Sequence, residues 1–156
     1  MKIMSRILFS TIDSSFYVGS NTKALRRFAR PSLENPGSLN TLHEINDVHD
    51  ASIYCLDISP NGQFIATGSN DKIVKILTFD QDREEPLRIV SEMTNHDGTI
   101  RSVRFLPGNN DMPSILASGG AGDGRIYLTD VNTDNVLVYV QVCSSEASRK
   151  ILTDLV

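Results

Sequence analysis

The chain has 156 residues, of which 40% are hydrophobic and 22% are charged, values that are ordinary for one soluble globular domain. Its formal net charge of −4 argues against a general nucleic-acid binder, which would be basic. The apolar run 7–9 is too short for a signal peptide, and no stretch is long enough to span a membrane, so we expect neither nucleic acid nor membrane as a partner. The two cysteines, Cys55 and Cys143, make no disulfide framework, which fits a reducing compartment, and Cys55 is predicted to be a small buried apolar residue.

Residues 5–30 contain three short predicted strands: Arg6–Thr11, Phe16–Gly19 and Ala24–Phe28. Four positive charges fall within eight residues, on or beside the last of these strands: Lys23, Arg26, Arg27 and Arg30. They form either a solvated strand face or a salt-sensitive contact for an acidic partner. Neighbouring side chains of a strand point to opposite faces, so only part of the cluster can form one surface. Arg27 and Arg30 are the better candidates for exposure, because they lie near the strand end and the Pro31 loop.

The stretch from His49 to Thr78 predicts three strands separated by two turns. The predicted strands are Ser52–Ser59, Gln63–Gly68 and Ile73–Phe79. The turn residues are Pro60-Asn61-Gly62 and Ser69-Asn70-Asp71-Lys72. The middle strand is almost wholly apolar, as expected of a strand that is buried on both faces.

The same pattern recurs in residues 96–130. His96-Asp97 matches His49-Asp50, Leu116–Gly119 matches Ile65–Gly68, and Asp123 matches Asp71. A weaker copy lies at the start, where Val18–Lys23 parallels Thr67–Lys72 and Thr22 replaces the turn aspartate. Three copies with a period of about 50 residues, built from short strands, predict blades of a β-propeller.

These residues resemble the WD40 repeat family: a histidine before the first strand, Ser59-Pro60 after it, and the turn Ala66–Asp71 before the last strand. The typical tryptophan of that family is replaced by Leu77 in one copy, by Thr129 in the next and by Phe28 in the weak copy. The resemblance implies an all-β fold, an incomplete WD40 β-propeller with about three four-stranded antiparallel blades. A propeller needs at least about four blades, so we expect a fragment of a longer chain. The alternative is a chain that assembles with others to complete a ring.

Because WD40 blades have four strands, the resemblance also implies outer strands at Leu39–Ile45, Pro86–Met93 and Val136–Val142. We therefore divide the chain into a degenerate first blade with its outer strand, a second blade, a third blade and a non-repeat tail: residues 1–46, 47–95, 96–142 and 143–156. Within the tail, Glu146–Leu155 has the pattern of an amphipathic helix that is too short to be stable alone.

Two sets of side chains have the residue types of a hydrolytic trio: His49, Thr67 and Asp71, and His96, Ser118 and Asp123. The resemblance implies another role, a structural turn network of buried hydrogen bonds that ties the turn to the loop before the first strand. Duplication in two successive repeats also favours the structural role. Without the indole N–H of the missing tryptophan, we expect the network to be weaker.

The run Gly119–Gly124 lacks the Gly-x-Gly-x-x-Gly spacing and is followed by a predicted strand, so it predicts a bulged turn and not a phosphate-binding loop. His43, His49, His96 and Cys55 do not have zinc-ligand spacing. We therefore expect no catalytic, cofactor-binding or metal-binding residues.

The sequence and the resemblance predict a non-catalytic scaffold for protein–protein interaction. The phrases around His49–Leu77 and His96–Phe105 are most similar to a microtubule-associated WD40 scaffold, which implies tubulin or microtubules as partners and a cytoplasmic, cytoskeletal location. A propeller adaptor subunit in ubiquitin ligation or RNA processing is the alternative, and an enzyme built on a propeller is a weaker one. The unusual apolar segment Val136–Val140 and the open blade faces predict self-association through blade edges.

Overall fold

The computed structural model describes residues 6–9, 15–31, 34, 39–78, 87–107 and 114–141. These residues form twelve β-strands in three four-stranded antiparallel sheets. The strands in chain order are β1 (Arg6–Phe9), β2 (Phe16–Gly19), β3 (Leu25–Phe28), β4 (Thr41–Ile45), β5 (Ile53–Ile58), β6 (Phe64–Ser69), β7 (Val74–Thr78), β8 (Arg88–Met93), β9 (Ile100–Phe105), β10 (Ile115–Gly120), β11 (Arg125–Asp130) and β12 (Asn135–Gln141). In each sheet every strand pairs with the next strand of the chain, and we call the sheets the first, second and third blades.

The predicted fold class is confirmed, including the four strands of each blade. The outer strands implied by the resemblance are β4, β8 and β12, with bounds within two residues of the predicted ones. The tail at 143–156, with its predicted helix, lies outside the described residues. Among the described residues there is no helix that could cross a membrane.

One turn geometry recurs between the second and third strands of every blade. The fourth turn residue adopts a left-handed backbone, with φ of 67° at Lys23, 73° at Lys72 and 60° at Gly124. A side chain in this conformation costs about 1 kcal/mol, so two lysines tolerate what a glycine adopts freely. The shared backbone path shows that the N-terminal copy, despite its divergent sequence, folds like the others.

The hydrophobic core lies between the blades. The boundary of the first and second blades buries one cluster: Tyr17, Leu25, Val48, Ile53, Ile65, Leu77 and Leu87. The boundary of the second and third blades buries another: Ala66, Val74, Ile76, Met93, Ile100, Val103, Phe105, Leu116 and Val131. The middle strand β6 contributes to both clusters, which agrees with its predicted burial on two faces.

Glycine allows the closest approach at these boundaries. A Cβ added at Gly19 would lie 2.7 Å from the Ile53 Cγ2 atom of the second blade. A Cβ added at Gly68 would lie 2.5 Å from the Ile100 Cγ2 atom of the third blade. The two glycines occupy the same repeat position, so the same contact is made at both boundaries.

Candidate functional site

His49 is the centre of a hydrogen-bonded network in the second blade. Its Nδ1 atom lies 2.8 Å from Asp71 Oδ2, and its Nε2 atom lies 2.8 Å from Thr67 Oγ1. The other carboxylate oxygen of Asp71 accepts a hydrogen bond from the Ile73 N–H at 3.0 Å, and Oδ2 also accepts one from the Asp50 N–H at 2.9 Å. One aspartate therefore joins the β6–β7 turn to the loop that precedes β5.

The hydrogen bonds connect these three side chains in the same way as in a hydrolytic triad. Their burial therefore distinguishes a catalytic role from a structural one. Thr67 is wholly buried and the His49 side chain is 0% exposed, which leaves no path for a substrate to the hydroxyl. The Thr67 hydroxyl also lies 3.3 Å from the Lys75 carbonyl of the neighbouring strand. This arrangement can satisfy buried polar groups, but it offers no accessible nucleophile.

Burial lowers the pKa of His49 below its ordinary value of 6.5, although the Asp71 carboxylate acts in the opposite direction. The neutral ring then carries a single proton, which Nδ1 donates to Asp71 while Nε2 accepts from the Thr67 hydroxyl. Burial would raise the pKa of Asp71, but the Ile73 N–H and His49 outweigh it and lower that pKa. The aspartate thus stays ionised opposite a neutral histidine.

The third blade brings the equivalent residues together less tightly. His96 Nε2 lies 3.0 Å from Ser118 Oγ, but His96 Nδ1 and Asp123 Oδ2 are 3.3 Å apart. Neither of those two atoms has a hydrogen-bond partner within the described part of the chain. Asp123 keeps its turn contact, accepting from the Arg125 N–H at 3.0 Å. Burial lowers the pKa of His96 as it does that of His49.

The position of the missing tryptophan differs between these two blades. Leu77 is fully buried in the boundary cluster of the first and second blades. Thr129 is buried as well, but its hydroxyl lacks a hydrogen-bond partner among the described residues. Leucine fills this position without burying a polar group. Threonine buries a hydroxyl group, which costs free energy of folding when it has no hydrogen-bond partner.

The four basic residues of the first blade do not form one surface. Lys23 lies in the turn before β3, and Arg30 lies beyond the opposite end of that strand. Arg26 forms an ion pair with Glu44 at 2.8 Å. Arg27 donates to Ser15 Oγ at 3.2 Å and lies 6.0 Å from the centre of the Tyr17 ring. The expectation that Arg27 is exposed is therefore wrong, because its contacts keep it half-buried, whereas Arg30 is exposed.

Asp57 is a buried site residue that the sequence analysis missed. Its carboxylate accepts from the Phe105 N–H at 2.7 Å and from Arg104 Nη1 at 3.3 Å, both in the third blade. Burial raises the pKa of Asp57, against the effect of these donors. The detectable signal was an acidic residue inside the apolar strand β5, together with Arg104 at the same position of the next repeat.

The glycine-rich run forms a bulge and a turn, and Cys55 lies at a boundary between blades. A bulge lies between Gly119 and Gly120, and strand β11 follows the turn, as predicted. Cys55 packs against the cluster at the boundary of the second and third blades but is only half-buried, so it is less buried than predicted. Within the described residues, no group of three His, Cys, Asp or Glu side chains lies together in a way that could hold a metal ion.

The curated relatives match only a part of their own length. The chain is 34% identical over 101 residues to Protein hir1 of Aspergillus terreus, covering 59% of this chain and 9% of that protein. It is 31% identical over 78 residues to cilia- and flagella-associated protein 52 of Sus scrofa, covering 50% and 12%. It is 34% identical over 82 residues to the probable cytosolic iron-sulfur protein assembly protein 1 of Chaetomium globosum, covering 49% and 17%. The chain thus spans less than a fifth of each of these relatives.

Two solved structures share the fold. A chain in a crystal structure of the mitotic checkpoint complex matches with a TM-score of 0.65 and 20% identity, covering 84% of this chain and 36% of that one. The RRP9 WD40 repeats match with a TM-score of 0.70 and 17% identity, covering 92% and 42%. The family model described as WD domain, G-beta repeat matches residues 39–77 and 87–130, more than half of the chain. The chain therefore belongs to the WD40 repeat family.

Proposed function

We propose that the protein is a non-catalytic WD40 scaffold whose loops and blade edges contact other proteins, with microtubules as the specific partner. The observation that carries the scaffold function is the paired use of histidine and aspartate in two successive blades. His49 and Asp71 act on the turn and the preceding loop of their own blade, and His96 and Asp123 lie at the same places in the next. These histidine and aspartate residues stabilise the blades. Contacts with partners are therefore made by residues of the exposed surface.

The microtubule partner rests on likeness in sequence. The residue pattern of the second and third repeats resembles that of the C-terminal propeller of WD-repeat protein 47, a neuronal scaffold associated with microtubules. The name of one curated relative, cilia- and flagella-associated protein 52, points to microtubule-based organelles. This proposal gives the protein a cytoplasmic, cytoskeletal location.

We infer that one end of β3 is the better candidate surface for a contact with acidic tubulin. The chain as a whole is acidic, with a net charge of −4, so a local basic patch must supply the attraction. The Arg26 charge is offset by Glu44, and Lys23 lies at the far end of the strand. Arg30, with the half-buried Arg27 near it, is the remaining candidate at the other end.

Co-sedimentation with microtubules at low salt tests this contact. We expect Arg30→Glu to lower the bound fraction several-fold and Lys23→Glu to leave it nearly unchanged. The two variants change the net charge equally, so Lys23→Glu controls for bulk repulsion. Circular dichroism checks that both variants keep the parent fold. Equal sedimentation of both variants and the parent would refute the Arg30 contact, and no sedimentation of the parent would refute the microtubule partner.

A further inference from the structure

Strand β12 is an outer edge strand with an unusual surface. Among the described strands it lies at the edge of the third blade and pairs with β11 alone. All seven of its residues are exposed, and five consecutive large apolar side chains are 38–54% exposed: Val136, Leu137, Val138, Tyr139 and Val140. The strand carries no charged residue from Asn135 to Gln141. An uncharged apolar edge is open to pairing with another strand.

The outer strands of the other two blades are protected by charge. Strand β4 carries Glu44, which pairs with Arg26. Strand β8 carries Arg88 and Glu92, and Glu92 lies 2.8 Å from the Lys75 ammonium group. Charges on an edge strand discourage pairing with further strands. The difference marks β12 as the edge suited to a partner strand.

Contacts with β11 and with the turn before it fix the position of β12 within the single chain. Gln141 accepts from Arg125 Nε at 3.1 Å and donates to the Asp123 carbonyl at 3.0 Å. The Arg125 guanidinium lies 4.8 Å from the centre of the Tyr139 ring. A bulge leaves Leu137 of β12 without a partner residue in β11, whereas residues 138–141 pair with β11 in regular register. An ordered edge loses little conformational entropy when a second strand binds.

We propose that β12 pairs in antiparallel fashion with β12 of a second copy of this chain, around a two-fold axis at Val138. We infer a second copy of the chain as the partner, because two identical uncharged edges bring no like charges together. A two-fold axis perpendicular to the sheet relates two antiparallel strands and leaves each side chain on the same face of the sheet. In such a pair, one residue of the first strand lies directly opposite the same residue of the second copy. Centring the pair on Val138 overlaps all seven residues of the strand.

This arrangement joins two third blades into one continuous eight-stranded sheet. The sequence predicted self-association through the segment Val136–Val140 and the open blade faces. The proposed pairing adds a partner strand and a register to that prediction. The pairing uses the outer edge of a blade, so it does not require the faces between blades to be open. It is independent of the microtubule partner proposed above.

Cysteine cross-linking tests the register. Strands opposed at one residue bring its two Cα atoms to about 4.5–5.5 Å, within the range of a disulfide. In a Cys143→Ser background, we expect Val138→Cys to form a covalent dimer under mild oxidation and Tyr139→Cys to form at least about tenfold less. Dominant cross-linking of Tyr139→Cys, or none by either variant, would overturn the proposed register.

Analytical ultracentrifugation tests the interface itself. We expect the parent chain to dimerise and Val138→Lys to raise the dimer dissociation constant about tenfold or more, because two lysines would then oppose each other. Val90→Lys is the matched control, since Val90 lies in β8 and is 46% exposed against 47% for Val138. A monomeric parent, or equal effects of the two lysines, would overturn the proposal. If Val138→Lys does not fold, the cysteine variants still decide it.

Discussion

Replacing Asp71 by alanine removes the acceptor that joins the β6–β7 turn to the loop before β5. Three N–H groups lose a partner, those of His49, Asp50 and Ile73. Asp50 is exposed, so its amide can be rehydrated, but the His49 side chain is fully buried and its N–H cannot. An unsatisfied buried donor costs about 1–3 kcal/mol, and we expect a loss of that size in the free energy of unfolding.

Two matched variants separate this loss from a general effect of substitution. Asp123→Ala should cost only about 1 kcal/mol, because Asp123 lacks the aligned bond to histidine and its main loss is the Arg125 N–H contact. Thr22→Ala should stay within about 0.5 kcal/mol, because Thr22 is exposed and bonds only locally to Ser20. The sequence alone would have ranked Asp71 and Asp123 as equals, and the geometry of the two networks ranks them apart.

Urea unfolding monitored by circular dichroism measures the three differences. Each kcal/mol should also lower the melting temperature by about 3 °C for a chain of this size. The urea midpoint should be highest for Thr22→Ala, lower for Asp123→Ala and lowest for Asp71→Ala. The slope of the free energy of unfolding against urea concentration should stay unchanged. Equal midpoints for Asp71→Ala and Thr22→Ala would refute the role assigned to the network.

Two further predictions follow from burial. Gly68→Ala should destabilise the protein by about 1–3 kcal/mol, because its Cβ would lie 2.5 Å from Ile100 Cγ2 and 2.6 Å from Cys55 Sγ, and a parent-like urea midpoint would contradict the tight boundary. The free energy of unfolding should fall as the pH drops below about 6.5, because burial lowers the pKa of His49 and His96 and the unfolded chain therefore binds more protons. Urea titrations across that range that show constant or rising stability on acidification would rule out neutral buried histidines.

The sequence was sufficient for the strands because each repeat carries local signals. The turn at Pro60-Asn61-Gly62 and the apolar strand β6 are fixed by residue type, and the structure has both at the predicted places. Repetition then extended the assignment from the second blade to the others. The outer strands were implied by the family resemblance, since β4 and β8 alone carry weak patterns.

Contacts between strands and between blades could not be predicted from the sequence. Asp57 pairs with a backbone N–H of Phe105, and a backbone partner leaves no trace in residue types. Arg27 was expected to be exposed, but Ser15 and Tyr17 lie against it from the neighbouring strand region. Both outcomes depend on register and on packing between sheets, which a pattern along one strand does not contain.

The first blade separates the two roles that Asp71 plays in the second. Lys23 adopts the same left-handed turn as Lys72, although Thr22 stands where the aspartate would be. The turn backbone therefore forms without a carboxylate, and the carboxylate is needed for the other contact, the one to His49 and the Asp50 N–H. In Asp71→Ala, the amide of Asp50 should consequently lose hydrogen-exchange protection while the strand amides of β6 and β7 keep theirs. Loss of protection throughout β6 and β7 would instead show that the aspartate builds the turn.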